Sequence, residues 1–108
     1  MTEVIKTSRD FDAKEIYKIS HSKSTSCKDA VGEIYKVLDF ILYKQDDAKG
    51  VMREVLALFT ENGNVSTVSE TFKKSFFELY DNFGLPVEIV IADGVSKAGR
   101  NYVTCELV

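Results

Sequence analysis

The sequence predicts a mainly β chain with one principal helix, curled into a small barrel or a strongly curved antiparallel sheet. Three observations carry that expectation. Short runs rich in β-branched and aromatic residues recur between polar turns; an Asn-Gly pair stands between two of those runs; and the one strongly helical stretch runs from Ser69 to Phe83. A chain of 108 residues has room for one core of ordinary size. The domain is therefore expected to occupy residues 13–108, with residues 1–12 as a flexible lead.

Lys14-Glu15-Ile16-Tyr17-Lys18-Ile19 reads as a short strand whose residue types suit a pleated surface. Ser20 to Lys28 is polar and acid-free, and reads as a loop. Residues 30–44 are ambiguous: Val31, Ile34, Leu38 and Ile41 fall at helical spacing, whereas Val37, Phe40, Ile41 and Tyr43 favour a strand by type. Val51 to Thr60 needs an antiparallel neighbour, and Gln45 to Gly50 resembles a hairpin connection, which decides for a strand over about 34–44. If that stretch were instead a long helix, a two-layer α+β sandwich would follow.

Asn62-Gly63 then predicts a tight hairpin with both residues at positive φ. Ser69 can cap the helix, Glu70 suits the positive end of its dipole, and Gly84 with Pro86 ends it. Phe72, Phe76, Leu79 and Phe83 form the apolar stripe that should cover the core. In the last segment Val87, Ile89 and Ile91 should face inward, a long basic tip should span Ala92 to Arg100, and Val103, Cys105 and Leu107 should face inward on the return. Strand, strand, strand, helix and hairpin is the element order of an OB-like barrel, here with an extra early strand at 16–19.

Fourteen Lys and Arg against seventeen Asp and Glu give a net charge of −3. Such a balance argues against a surface coated in phosphate-binding charge, so any nucleic-acid site must be local. The sole histidine, His21, lies in a Ser- and Lys-rich stretch away from any nucleophile motif, and no phosphate loop or metal-ligand spacing is present. No enzyme, cofactor or metal is expected. Cys27 and Cys105 read as free thiols, Cys105 as a buried one. Apolar runs are too short to cross a bilayer and no export signal is evident, so a cytoplasmic location without membrane contact is expected.

One loop carries chemistry. Ser96-Lys97-Ala98-Gly99-Arg100 places two cations and a hydroxyl on a hairpin tip, with Gly94 and Gly99 allowing close approach of a phosphate. The two-residue period then puts Tyr102 and Thr104 on the outer face, and an aromatic beside cations is the layout of a base-stacking platform. Lys97 and Arg100 can equally be solvated charges, and Tyr102 a cross-strand packing residue. Lys23 and Lys28 join Lys14 and Lys18 against Glu15 alone in a second positive segment, residues 13–28.

From about Val51 to Val108 the chain resembles the small single-stranded DNA-binding proteins of bacteriophages of Gram-positive hosts. The resemblance lies in Glu61-Asn62-Gly63, in Thr67-Val68-Ser69-Glu70-Thr71-Phe72, and in Ser96-Lys97-Ala98-Gly99-Arg100-Asn101-Tyr102 leading to Cys105-Glu106-Leu107-Val108. It implies an OB-like protein that coats single-stranded DNA during phage replication or recombination, without sequence preference or cofactor, in the cytoplasm of the host cell and beside replication proteins. Lys97, Arg100 and Tyr102 would then contact the strand. The competing class is a small phage-type interaction protein that binds and modulates a host or replication protein.

Overall fold

The computed structural model describes residues 2–21, 24–46 and 48–108. In chain order its elements are β1 (Thr2–Thr7), α1 (Ala13–His21), β2 (Thr25–Ser26), a single 3-10 turn (Cys27–Ala30), β3 (Ile34–Asp46), β4 (Met52–Thr60), β5 (Gly63–Thr67), α2 (Glu70–Phe83), β6 (Val87–Val95) and β7 (Asn101–Leu107). The seven described strands share one sheet in the order β2-β5-β4-β3-β6-β7, with β1 added on β3.

The long strand β3 organises this sheet. One of its edges pairs with β4 from Val37 to Asp46; the other is divided between β6, along Ile34–Val37, and β1, along Ile41–Gln45. Between Val37 and Asp39 the register slips, leaving Leu38 as an extra residue. A bulge of this kind bends its strand and increases the local twist. It also lets Val37 and Phe40 enter the same core, although they are three residues apart. The result is a curled, open half-barrel, mainly antiparallel and OB-like, as the element order predicts.

The strand reading of residues 34–44 holds, and the helical-looking periodicity there has a physical cause. Both faces of the middle of β3 are buried, so its residues are apolar in a run and do not alternate. On the concave side Phe40 and Leu42 meet Leu56, Leu58, Phe72, Phe76, Ile89 and Ile91. On the convex side Ile41, Tyr43 and Ala57 are covered by Phe11, Ile16 and Ile19.

That convex cover corrects two expectations. Residues 14–19 form a helix, not a strand: the Glu15 N–H donates to Asp12 Oδ1 at 2.8 Å, capping α1, while Ile16 and Ile19 fall on one face against the sheet. Residues 2–7 are strand β1, not a flexible lead, and Ser8 continues the attachment by exchanging hydrogen bonds with Phe40. Arg9 then ties α1 to the sheet, reaching Glu15 at 2.7 Å and Asp39 at 3.2 Å with its guanidinium 4.0 Å from the centre of the Phe11 ring. The stretch expected as one loop, Ser20 to Lys28, divides among the end of α1, β2 and the 3-10 turn.

The hairpin between β4 and β5 forms, but its turn is Glu61-Asn62, with Thr60 opposite Gly63. Gly63 takes φ +111°, whereas no described non-glycine residue has positive φ, so the double left-handed turn expected for Asn62-Gly63 is replaced by one glycine at the strand start. Helix α2 begins and ends as expected: Ser69 Oγ accepts from the Phe72 N–H at 3.2 Å, and the N–H of Gly84, at φ +69°, donates to the Tyr80 carbonyl at 2.8 Å. Phe72 and Phe76 are fully buried, each contributing about 1.5–3 kcal/mol by area. The stripe stops early, however. Phe77 and Tyr80 pack edge-on against Phe40, whereas Phe83, in the last turn, is 61% exposed. Leu107, expected inside, is exposed on β7, which lies at the edge of the sheet. Among the described residues no helix is long and apolar enough to cross a membrane.

Candidate functional site

Strand β6 runs four residues further than its alternation suggested, through Ala92-Asp93-Gly94-Val95, and β7 starts at Asn101. The tip is therefore only Ser96 to Arg100. Gly99, at φ +80°, donates its N–H to the Ser96 carbonyl at 2.9 Å, and the Arg100 N–H donates to Ser96 Oγ at 3.2 Å. Ser96 is thus the residue that closes the turn, with both hydroxyl and main chain engaged.

Strands β5 and β7 would meet if the barrel closed, but β5 pairs instead with the two residues of β2, and a seam remains open on the β7 side. The Ser69 hydroxyl bridges part of it, donating to the Val103 carbonyl at 3.2 Å, and Thr104 Oγ1 donates to Ser75 Oγ at 2.7 Å, which docks β7 on α2. Along the rest lies a groove of about 710 Å³. The 3-10 turn supplies Lys28 and its C-cap Val31, the start of α2 supplies its cap Ser69 and Thr71, and the hairpin supplies Asp93, Ser96 and Asn101 to Val103 with Arg100. Lys28 is held at this position because Gly32 N–H donates to the Ile91 carbonyl at 2.7 Å and Ile91 N–H to the Glu33 carbonyl at 3.0 Å, pinning the segment to β6.

Lys28, Ser96, Arg100 and Tyr102, all singled out from sequence, therefore line one groove. Among the described residues the side chains of Lys28 and Arg100 have no ion-pair partner, in contrast to Arg9, Lys36 and Lys73, whose charges are engaged by neighbouring carboxylates. Unpaired cations in a concavity are free to meet an anion. Lys97 stands at the exposed tip and does not line the groove. Lys23 lies outside the described residues. Lys14 and Lys18 ride on α1, which packs on the convex face.

Two sequence expectations change at the hairpin. The Gly94 position is not an approach for phosphate, because the Tyr102 ring lies across the space a side chain would take there. Thr104 is not on a free outer face, since it bonds to Ser75. Asp93 is a groove residue that the sequence reading, which takes Ala92 to Arg100 as connection, does not single out. Ile89, Ile91 and Asp93 follow one another on the same face of β6, so Asp93 carries the core-facing row out into the groove; the strand period, extended one step, is the signal that finds it.

Cys27 and Cys105 are buried free thiols in the concave core beside this seam. Burial pushes both up to about 12, with Cys105 adding to the effect on Cys27, so both are protonated at neutral pH. Among the described residues no cluster of three His, Cys, Asp or Glu side chains is placed to hold a metal ion. No protein-family model, no curated protein and no solved structure matches the chain.

Proposed function

We propose that the protein binds single-stranded DNA with little sequence preference, as a strand-coating protein of replication or recombination. The observation that carries this reading is the meeting of Lys28 and Arg100, both without ion-pair partners among the described residues, with Tyr102 at a groove along the open seam of an OB-like sheet. Lys28 supplies a point charge and Arg100 a planar fork to successive phosphates. Tyr102, 38% exposed, offers a ring at the groove's rim on which a base stacks, a contact worth about 1–3 kcal/mol. Duplex is a poor ligand, because its bases are already stacked on one another. The acidic total fits a local groove better than a coated surface. Arg100 and Tyr102 also belong to the segment that carries the resemblance to phage single-stranded DNA-binding proteins, whereas Lys28 lies outside it. Titration of a labelled mixed-sequence single strand at two salt concentrations, with unlabelled duplex as competitor, tests the proposal. Salt-sensitive binding that duplex fails to displace supports it; no binding at low salt overturns it.

A second reading, the small interaction protein, is favoured by a different surface. Phe83, Pro86, Leu107 and Val108 line an open depression of about 430 Å³ together with Lys36 and Glu88. It becomes the better reading if the oligonucleotide experiment fails.

A further inference from the structure

We infer that Asp93 makes the groove select bases that carry an exocyclic amino group, so that cytosine-rich single strands bind more tightly than thymine-rich ones. The inference rests on the single-strand reading of the same groove. Asp93 is the acid among the residues lining it, and among the described residues its exposed carboxylate has neither an ion-pair nor a hydrogen-bond partner, although Lys28 and Arg100 line the same cavity. A carboxylate in a groove that tracks phosphates opposes binding unless the ligand brings a donor to it. Its surroundings suit the edge of a base. Val103, its cross-strand partner, and Val31 form an apolar wall, and the Asn101 amide and Thr71 hydroxyl add polar groups to the lining.

A carboxylate only accepts hydrogen bonds, and the bases differ in what they present to it. Cytosine offers the amino hydrogens on N4; thymine offers the O4 acceptor and a methyl group in the corresponding place. Asp93 therefore attracts the first and repels the second, adding a compositional preference to an affinity that comes mainly from the backbone. A hydrogen bond to a charged group in such a setting amounts to about a tenfold difference between the two pyrimidines.

The test compares labelled oligo-dC and oligo-dT of equal length, at neutral pH and one salt concentration, on the wild-type protein, Asp93→Asn and Asp93→Ala, with thermal melts showing that the variants fold. The expected result is about tenfold tighter binding of oligo-dC by the wild type and a ratio near one in both variants, reached mainly by a gain for oligo-dT. Equal affinities in the wild type overturn the inference while leaving the single-strand reading intact. So does a ratio that survives substitution while both strands tighten together, since the acid then merely repels phosphate. Failure to bind either strand overturns both readings.

Discussion

Tyr102 and Gly94 are cross-strand partners on β7 and β6, and the tyrosine ring fills the place where a side chain at position 94 would stand. Glycine at this position is what lets the ring lie down on the sheet. By strand alternation this puts the ring on the hairpin face opposite Asp93 and Val103, at the rim of the seam groove and not in its floor. The packing and stacking readings of Tyr102 are thus compatible, because one side of the ring rests on backbone while the residue keeps 38% of its surface exposed.

Substituting Gly94→Ala should swing the ring off the sheet. The colliding atoms are the far end of an exposed side chain, so the loss of stability should stay within about 1 kcal/mol, the scale of a cross-strand pair. Proton NMR should show the Gly94 α-protons shifted by the ring in the wild type and at ordinary positions in Tyr102→Ala. Single-strand affinity of Gly94→Ala should drop toward that of Tyr102→Ala; an undiminished affinity would show that the ring's placement on the sheet does not matter for binding.

Charge deletion should separate the groove from the tip. For single strands log K falls with log salt at about 0.7 per neutralised phosphate, so Lys28→Ala with Arg100→Ala should flatten the slope by roughly 1.4. Lys97→Ala, outside the groove, should change it less than either. Tyr102→Ala should lower affinity by about 1–3 kcal/mol with the slope nearly unchanged. Equal slope changes for Lys97 and Lys28 would argue for diffuse attraction in place of a groove.

Along α2 the cost of truncation should follow the sheet beneath it. Phe76→Ala, at a fully buried ring, should cost about 3–5 kcal/mol in urea unfolding. Phe83→Ala, at an exposed one, should lie within about 0.5 kcal/mol of the wild type. A large loss at Phe83 would mean that the last turn of α2 is covered by something, such as a second copy.

Arg9 holds the Glu15 carboxyl below its ordinary value of 4.5, chiefly through the guanidinium hydrogen bond and next through the Asp12 N–H. Because the folded value is the depressed one, the pair stabilises the docked helix above the unfolded value, and that contribution is lost as pH falls through the folded value. Carboxyl NMR titration should place the Glu15 midpoint below 4.5 in the wild type and closer to it in Arg9→Ala. No movement on substitution would remove Arg9 as the cause.

The thiols supply a test of the concave core. With both raised to about 12, Cys27 and Cys105 should react slowly with iodoacetamide at pH near 8 in the native protein and rapidly in denaturant. Rapid native labelling of Cys27 would show that the 3-10 turn opens away from the seam.

Where neighbouring residues decide the conformation, the sequence by itself was sufficient. The β4–β5 pairing, the Ser69 cap, the Gly84 stop and the β6–β7 hairpin all follow from local turn chemistry and short periods. Helix α1 belonged to this class too: Asp12 and Glu15 stand three apart as cap and first-turn acid, a signal outweighed by the strand-forming types of Ile16, Tyr17 and Ile19. Tertiary structure alone decided the rest. Strand β1 exists because β3 is long enough to offer it an edge beyond β6, and Phe83 and Leu107 stay exposed beside one depression although the period of each element turns them inward. The groove depends on the bulge at Leu38, which curls the sheet, on the seam left where β5 takes β2 as its neighbour, and on the bonds between Gly32, Glu33 and Ile91 that carry Lys28 to the same rim as Arg100. No period or spacing along the chain encodes that meeting, because curvature and pairing between distant segments set it.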